Sequence, residues 1–110
     1  MPFFMYQGTY SRESISALVE NPQNRTAAVS SVVEANGGKL IGCWMAFGEY
    51  DLVAIADMPD DEAMAGVSLA VSAVGTASSS KTTKLLTMDQ AVEAMKNAQG
   101  VVKSYSPPSK

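Results

Sequence analysis

The chain has 110 residues and a formal net charge of −3, with 46% hydrophobic and 17% charged residues. This length and apolar content predict a single folded domain and exclude an intrinsically disordered chain. The 8 basic residues are scattered along the chain rather than clustered, so the charge pattern of a nucleic-acid-binding protein is missing.

The chain contains no histidine and a single cysteine, Cys43. One cysteine excludes an internal disulfide and a multi-thiolate metal site, and the lack of histidine removes the commonest general base, haem ligand and zinc ligand. We therefore expect no metal and no cofactor. No charged leader and no apolar run of about 18 residues occurs, so we expect no membrane segment and a cytoplasmic protein.

The first third of the chain predicts a strand followed by two helical pieces. Phe3–Tyr10 is rich in aromatic residues and reads as the first strand, and Ser11 is a suitable N-cap for a helix. A second helical piece is expected to begin at Asn21-Pro22, because proline suits the first helical position. It is expected to end at Asn36-Gly37-Gly38.

Two strands joined by a short turn come next. Residues 39–47 and 50–57 are apolar runs of strand length, and Gly48-Glu49 separates them. A glycine at such a link permits a tight reversal, so the pattern predicts a hairpin.

A helix, a strand and a last helix complete the predicted elements. Acidic residues 60–62 open the helix, where the macrodipole favours negative charge, and Gly75 ends it. The threonine-rich residues 78–87 predict a fourth strand. Thr87 and Gln90 then form a capping box for the last helix.

The order of elements is β-α-β-β-α-β plus a terminal helix, which predicts an α+β, ferredoxin-like fold. Its four-stranded antiparallel sheet is expected in the order 4-1-3-2, with helices on one face. We assign residues 1–99 to this domain and residues 100–110 to a flexible C-terminal tail.

Both faces of the predicted sheet carry apolar residues, since the strands alternate poorly. In the second strand, for example, Leu40 and Trp44 share one parity and four apolar residues share the other. A contiguous apolar face is rarely left exposed on a monomer. We therefore predict a homodimer paired through the sheet face, a dimeric α+β barrel, with coverage by the chain's own last helix as the alternative.

The segment Gly48-Glu49-Tyr50-Asp51, followed by an apolar run and by Pro59-Asp60-Asp61-Glu62, resembles the GYD-domain family. Further points of likeness are Tyr10 before the first helix, Gly37-Gly38-Lys39 at a helix end, and Gly75 ahead of the threonine-rich strand. The resemblance covers roughly residues 3–97.

This resemblance implies a small, mostly bacterial protein with a ferredoxin-like fold and no established general activity. Proteins of similar fold, the dimeric α+β barrels, include cofactor-free monooxygenases, lactone isomerases, haem-dependent enzymes and small-ligand sensors. Fold alone does not fix function. Because this chain has no histidine, a histidine-ligated haem or a histidine-driven mechanism is not expected.

The candidate site lies where the predicted third strand starts beside the end of the first. Tyr50 and Asp51 are expected near Thr9, at the mouth of a pocket between sheet and helices. Asp51 is either a general base or a structural group that accepts hydrogen bonds from the opening of the first helix or pairs with Arg12. Both structural roles would make it a poor base, which favours the structural interpretation.

The remaining candidates are aromatic. Tyr6 and Trp44 join Thr9, Tyr50 and Asp51 as predicted ligand-binding residues, and Tyr50 and Asp51 are also the weak catalytic candidates. A buried tyrosine or tryptophan more often packs its ring in the core or an interface, so each also has a structural interpretation.

Three functions fit these observations. The first is a homodimeric small-ligand-binding or regulatory protein for a small apolar or aromatic molecule. The second is an enzyme like the cofactor-free monooxygenases or isomerases, using Tyr50 and Asp51. The third is a purely structural assembly module. We favour the first, because the enzyme lacks an evident second acid or base.

Overall fold

The computed structural model describes residues 2–109, which form an α+β fold of four strands and four helices. The strands are β1 (Phe3–Tyr10), β2 (Lys39–Met45), β3 (Leu52–Asp57) and β4 (Ala77–Leu85). The helices are α1 (Arg12–Glu20), α2 (Thr26–Ala35), α3 (Asp61–Ala73) and α4 (Met88–Val102).

The strands form one antiparallel sheet in the order β2-β3-β1-β4, which is the predicted order 4-1-3-2 counted from the opposite edge. The central strand β1 pairs with β3 on one side and β4 on the other. The helical connections after β1 and after β3 make this order possible, because they carry the chain across one face of the sheet. The α+β, ferredoxin-like prediction is confirmed at this level.

The start of α2 differs from the prediction. Pro22 does not occupy a first helical position; residues 22–25 have no regular structure and α2 begins at Thr26. Asn24, not Asn21, supports this start, since its Oδ1 accepts the Thr26 N–H at 2.9 Å. An Asn-Pro pair is equally compatible with a loop, because the fixed φ of proline suits turns as well as helix starts.

The link between β2 and β3 is longer than the predicted turn. β2 ends at Met45 and β3 begins at Leu52, and the loop is closed by a hydrogen bond of 2.8 Å from the Ala46 N–H to the Asp51 carbonyl. Gly48 lies in this loop with a φ of +100°, a conformation that residues with a side chain rarely adopt.

A β-bulge in β2 changes which side chains share a face. The register between β2 and β3 shifts between Leu40 and Gly42. Leu40 and Cys43 then lie on the face covered by helices, whereas Trp44 lies on the opposite face. The prediction that Leu40 and Trp44 share a face is therefore wrong, because simple alternation does not reveal a bulge.

The core lies between α2, α3 and one face of the sheet, which we call the inner face. Its buried residues are Phe4, Tyr6, Val33, Ala54, Ala56, Met58, Met64 and Val67. Met58, directly after β3, has 0% of its surface exposed. Burial of one such side chain contributes roughly 1.5–3 kcal/mol relative to exposure.

Two glycines in strands each lie beneath an aromatic ring that belongs to the same strand, two residues away: Gly8 beneath Tyr6, and Gly42 beneath Trp44. A Cβ on Gly8 would lie 2.9 Å from Cε2 of Tyr6, and a Cβ on Gly42 would lie 2.8 Å from Cη2 of Trp44. The rings therefore occupy the space of the missing side chains. Tyr6 is buried on the inner face, whereas Trp44 is 57% exposed on the other face.

The other face of the sheet, which we call the outer face, is uncovered by any part of residues 2–109. Alternation places on it the side chains of Phe3, Met5, Trp44, Val53, Ile55 and Leu85. The helix contacts of the sheet come from α1, α2 and α3. The alternative in which the last helix of the same chain covers this face is therefore wrong.

Helix α4 projects from the body of the domain. It has no buried residue and no extensive contact with another described helix or strand. The radius of gyration is 17.9 Å, against about 13 Å for a compact domain of this length. The helix also continues through Gly100 to Val102, so the predicted tail of residues 100–110 begins with three helical residues. Among the described residues, no helix is long and apolar enough to cross a membrane.

Candidate functional site

A cavity of about 260 Å³ lies between the inner face of the sheet and helices α2 and α3. We call it the sheet–helix cavity. The two helices touch each other little, and β3 contributes two alanines, so the space between them is not filled. Its walls are almost entirely apolar. The helices contribute Ala28, Val29, Val32, Ala70 and Val71, and Val74 follows directly after α3. Apolar cavities with a few polar groups are the usual form of small-molecule sites.

Tyr6 belongs to the wall of this cavity. It is 6% exposed, and its hydroxyl has no hydrogen-bond partner among the described residues. Burial raises the pKa of Tyr6, and the neighbouring Ser80 side chain offsets part of this increase. Because the exposed Ser80 side chain is able to rotate and satisfy the hydroxyl, we assign Tyr6 to the wall and not to a ligand anchor.

The polar groups of the sheet–helix cavity gather at one end. Tyr10, at the end of β1, and Arg25, directly before α2, border the cavity together with Thr76. Arg25 donates from Nη1 to Oε1 of Gln23 at 3.1 Å, and no carboxylate of residues 2–109 lies within ion-pair distance of it. At this end the mainly apolar cavity is therefore bordered by a tyrosine, a threonine and a guanidinium that has no carboxylate partner in residues 2–109.

Tyr10 remains a neutral hydrogen-bond donor at physiological pH. Burial raises the pKa of its hydroxyl, the positive charge of Arg25 lowers it in part, and Cys43, Asp51 and Tyr6 raise it further. The hydroxyl thus keeps its proton, and it makes no hydrogen bond to another described side chain.

A second cavity of about 480 Å³ lies on the other side of Tyr10 and Arg25, which line both spaces. We call it the loop cavity, because it is bounded by α1, residues 22–26 and β2. Trp44 and Cys43 line it, and the Cys43 thiol donates to Oγ1 of Thr26 at 3.5 Å. Tyr10 and Arg25 therefore form the boundary between two adjoining cavities.

Asp51 also lines the loop cavity, but its carboxylate holds the end of β1. Its Oδ2 accepts the Tyr10 N–H at 3.1 Å. Helix α1 is instead capped by Ser11, whose Oγ accepts the Ser14 N–H at 3.2 Å. The prediction that Asp51 caps α1 is wrong, because its carboxylate accepts from Tyr10, the residue before the N-cap Ser11. The prediction that Asp51 pairs with Arg12 is also wrong, since no ion pair joins these two side chains.

The five predicted ligand-binding residues do not form one site. Tyr6 lines the sheet–helix cavity, whereas Trp44 and Asp51 line the loop cavity. Thr9 and Tyr50 line neither, and the Thr9 hydroxyl donates to the carbonyl of Glu49 in the loop. Thr9 therefore has a structural contact.

Sequence reasoning missed Arg25 and identified Tyr10 only as the last residue of the first strand, before the first helix. The available signal was the position of Arg25 directly before an apolar helix. The helix dipole disfavours a cation at an N-terminus, so an arginine there suggests a role other than helix stability. The place of Tyr10 at the cavity could not be predicted, because it depends on the bulge between Thr9 and Tyr10 in the β1–β4 ladder.

The ionisable side chains that line the two cavities are one carboxylate, one guanidinium, one thiol and two tyrosine hydroxyls. In residues 2–109, Asp51 is the one acidic group that lines either cavity, and its carboxylate is engaged by a backbone N–H. General acid–base catalysis needs a group free to exchange a proton with a reacting molecule. No group of three His, Cys, Asp or Glu side chains clusters among these residues to hold a metal ion.

Comparisons with known proteins bear on the family. A crystal structure of an uncharacterized NIPSNAP domain protein from Burkholderia xenovorans matches with a TM-score of 0.45 and 13% identity, covering 79% of this chain and 94% of that chain. Among curated proteins, none matches the chain significantly. The family model of the GYD domain matches residues 4–95, which is most of the chain. The chain therefore belongs to the GYD domain family.

Proposed function

We propose that this protein is a homodimer that binds a small, mainly apolar molecule in the sheet–helix cavity, as a binding or regulatory protein. The observation that carries the proposal is the cavity of about 260 Å³, whose walls are mainly apolar and which Tyr10, Arg25 and Thr76 border at one end. Binding becomes favourable when an apolar ligand displaces water from such walls, and the polar end fixes the orientation of the ligand.

The same observations weigh against the other two functions. An enzyme of the cofactor-free type would use Tyr50 and Asp51, but Tyr50 lines neither cavity and Asp51 supports the end of β1. A module that serves only assembly would be expected to fill the space between sheet and helices, because an empty apolar space lowers stability.

Binding is tested with the neutral fluorescent probe N-phenyl-1-naphthylamine, displaced by hexanol, octanol or decanol. Ala28 lines the cavity and its neighbour Ala27 does not, although both lie exposed on α2. We expect saturable binding to the natural protein and to Ala27→Phe, and loss of binding in Ala28→Phe. Equal binding by the two variants, or no saturable binding by the natural protein, would refute the proposal.

The homodimer is proposed through the outer face. Ile55 lies at the middle of that face, opposite Met5 of β1, with Phe3 and Trp44 exposed nearby. A lysine there would have to be desolvated in a sheet-to-sheet interface. In sedimentation velocity we expect a dimer for the natural protein and for Ser16→Lys on α1, and a monomer for Ile55→Lys. A monomeric natural protein, or a dimeric Ile55→Lys variant, contradicts this interface.

A further inference from the structure

We infer that the ligand of the sheet–helix cavity carries a carboxylate, which Tyr10 and Arg25 bind while its apolar part enters the cavity. This inference rests on the proposed binding function and adds the chemical class of the ligand. It applies to aliphatic or aromatic monocarboxylates of small size, because one end of the cavity is polar and the remaining walls are apolar.

Arg25 supplies the charge. It borders both cavities, and no carboxylate of residues 2–109 forms an ion pair with it. Helix α2 has no acidic residue in its first turn that could neutralise it. The partner of Arg25 in the described structure is the neutral side chain of Gln23, so the guanidinium keeps donors for another acceptor. An anion is the ligand group that this arrangement favours.

Tyr10 supplies a second donor. Its hydroxyl remains protonated, since burial raises its pKa, and it lines the same end of the cavity as Arg25. A carboxylate has two oxygens and accepts from both groups at once. A neutral alcohol has one oxygen, and an ammonium group has no acceptor and is repelled by Arg25.

Asp51 is the group that opposes an anion. Its carboxylate lies on the loop-cavity side and is held there by the Tyr10 N–H at 3.1 Å. It does not line the sheet–helix cavity, whose walls contain no acidic residue. The charges therefore favour a carboxylate at the entrance of the sheet–helix cavity and disfavour one deep in the loop cavity.

The experiment compares three ligands of equal length: octanoate, octanol and octylammonium, measured by displacement of N-phenyl-1-naphthylamine near neutral pH. We expect octanoate to bind at least about tenfold more tightly than octanol, and octylammonium to bind most weakly of the three. Arg25→Gln should weaken octanoate binding about ten- to one hundredfold and weaken octanol binding by clearly less.

Three variants make the result specific. Arg12→Gln removes an exposed arginine that lines neither cavity and should leave all three affinities unchanged. Tyr10→Phe should weaken octanoate binding, and Arg25→Lys, which keeps the charge, should retain part of the preference for octanoate over octanol.

The outcomes separate the two proposals. If octanol and octanoate bind equally, or if Arg25→Gln weakens both alike, the carboxylate inference is wrong, while blocking of octanol by Ala28→Phe still supports the cavity as the binding site. If none of the three compounds displaces the probe from the natural protein, the proposed binding function fails, and the inference fails with it.

Discussion

The contact between Tyr6 and Gly8 gives a sharp test of how the inner face is packed. Gly8→Ala would place a Cβ 2.9 Å from Cε2 and 3.1 Å from the hydroxyl oxygen of Tyr6. The first distance is too short for two carbon atoms, so one of the groups has to move. Tyr6 is 6% exposed and lies in the core, and therefore has little room to move.

The expected magnitude follows from two opposing effects. Forcing an extra methyl group into a well-packed core costs about 1–3 kcal/mol. Alanine in place of a strand glycine regains roughly 0.5–1 kcal/mol, because the unfolded chain loses less freedom on folding. Gly8→Ala should therefore lower the free energy of unfolding by about 1 kcal/mol, within the bounds of about 0–2.5 kcal/mol that the difference of these two effects allows.

Gly42→Ala is the matched control. A Cβ on Gly42 would lie 2.8 Å from the ring of Trp44, a similar clash. Trp44 is 57% exposed in the single chain, however, so its ring can move aside when the chain is monomeric. Alanine at Gly42 then regains the same roughly 0.5–1 kcal/mol at little cost, and we expect the free energy of unfolding of the monomer not to fall and to rise by at most about 1 kcal/mol.

Urea unfolding followed by far-ultraviolet circular dichroism measures both variants. The same Gly8→Ala change in a Tyr6→Leu background should cost less than in the natural protein, because the ring that clashes is gone. An equal cost in both backgrounds, or equal effects of Gly8→Ala and Gly42→Ala, would show that the ring contact does not determine the stability at Gly8.

Three further predictions concern Asp51, the capping of α4 and the two buried tyrosines. Asp51→Ala should lower the free energy of unfolding by about 1–3 kcal/mol, because the Tyr10 N–H loses its acceptor. Asp51→Asn should lower it by clearly less, because the amide oxygen can still accept. Equal losses for the two variants in urea titrations would contradict this role of Asp51. Thr87→Ala should reduce helical circular dichroism but leave the unfolding midpoint seen by Trp44 fluorescence unchanged, because α4 has no buried residue and makes no extensive contact with another element of residues 2–109. A parallel fall of the midpoint would show that α4 contributes to the core. Burial raises the folded-state pKa of Tyr6 and Tyr10 above the ordinary value of 10.0. The unfolded chain therefore loses these two protons at lower pH than the folded chain, and stability should fall as the pH rises above about 10. A urea midpoint that stays constant above this pH would contradict the prediction.

Elements with local signals were predictable from the sequence. The bounds of β1, the cap at Ser11 and the capping box at Thr87 all agree with the structure, because each depends on residues within a few positions. The strand order also follows from local signals, since the lengths of the connections leave few ways to arrange four strands.

Features that depend on pairing across the sheet were not predictable. The bulge between Leu40 and Gly42 depends on how β2 pairs with β3, and it places Trp44 on the opposite face from Leu40. Contacts between strands and loops distant in the sequence also limited the prediction of the site residues. Asp51 was correctly placed near the end of β1, but its partner proved to be the Tyr10 N–H. Arg25 reaches the cavity because the preceding residues form a loop where a helix was expected.

The bulge in β2 also affects how the sheet ends. β2 and β4 are the two edge strands, and an edge strand with free backbone groups is a template for another strand. The bulge interrupts the regular ladder of β2, and β4 carries Lys81 and Lys84 along its length. Both features are known to disfavour pairing between edges. We expect both features to hinder the domain from growing strand by strand into a continuous, fibril-like sheet.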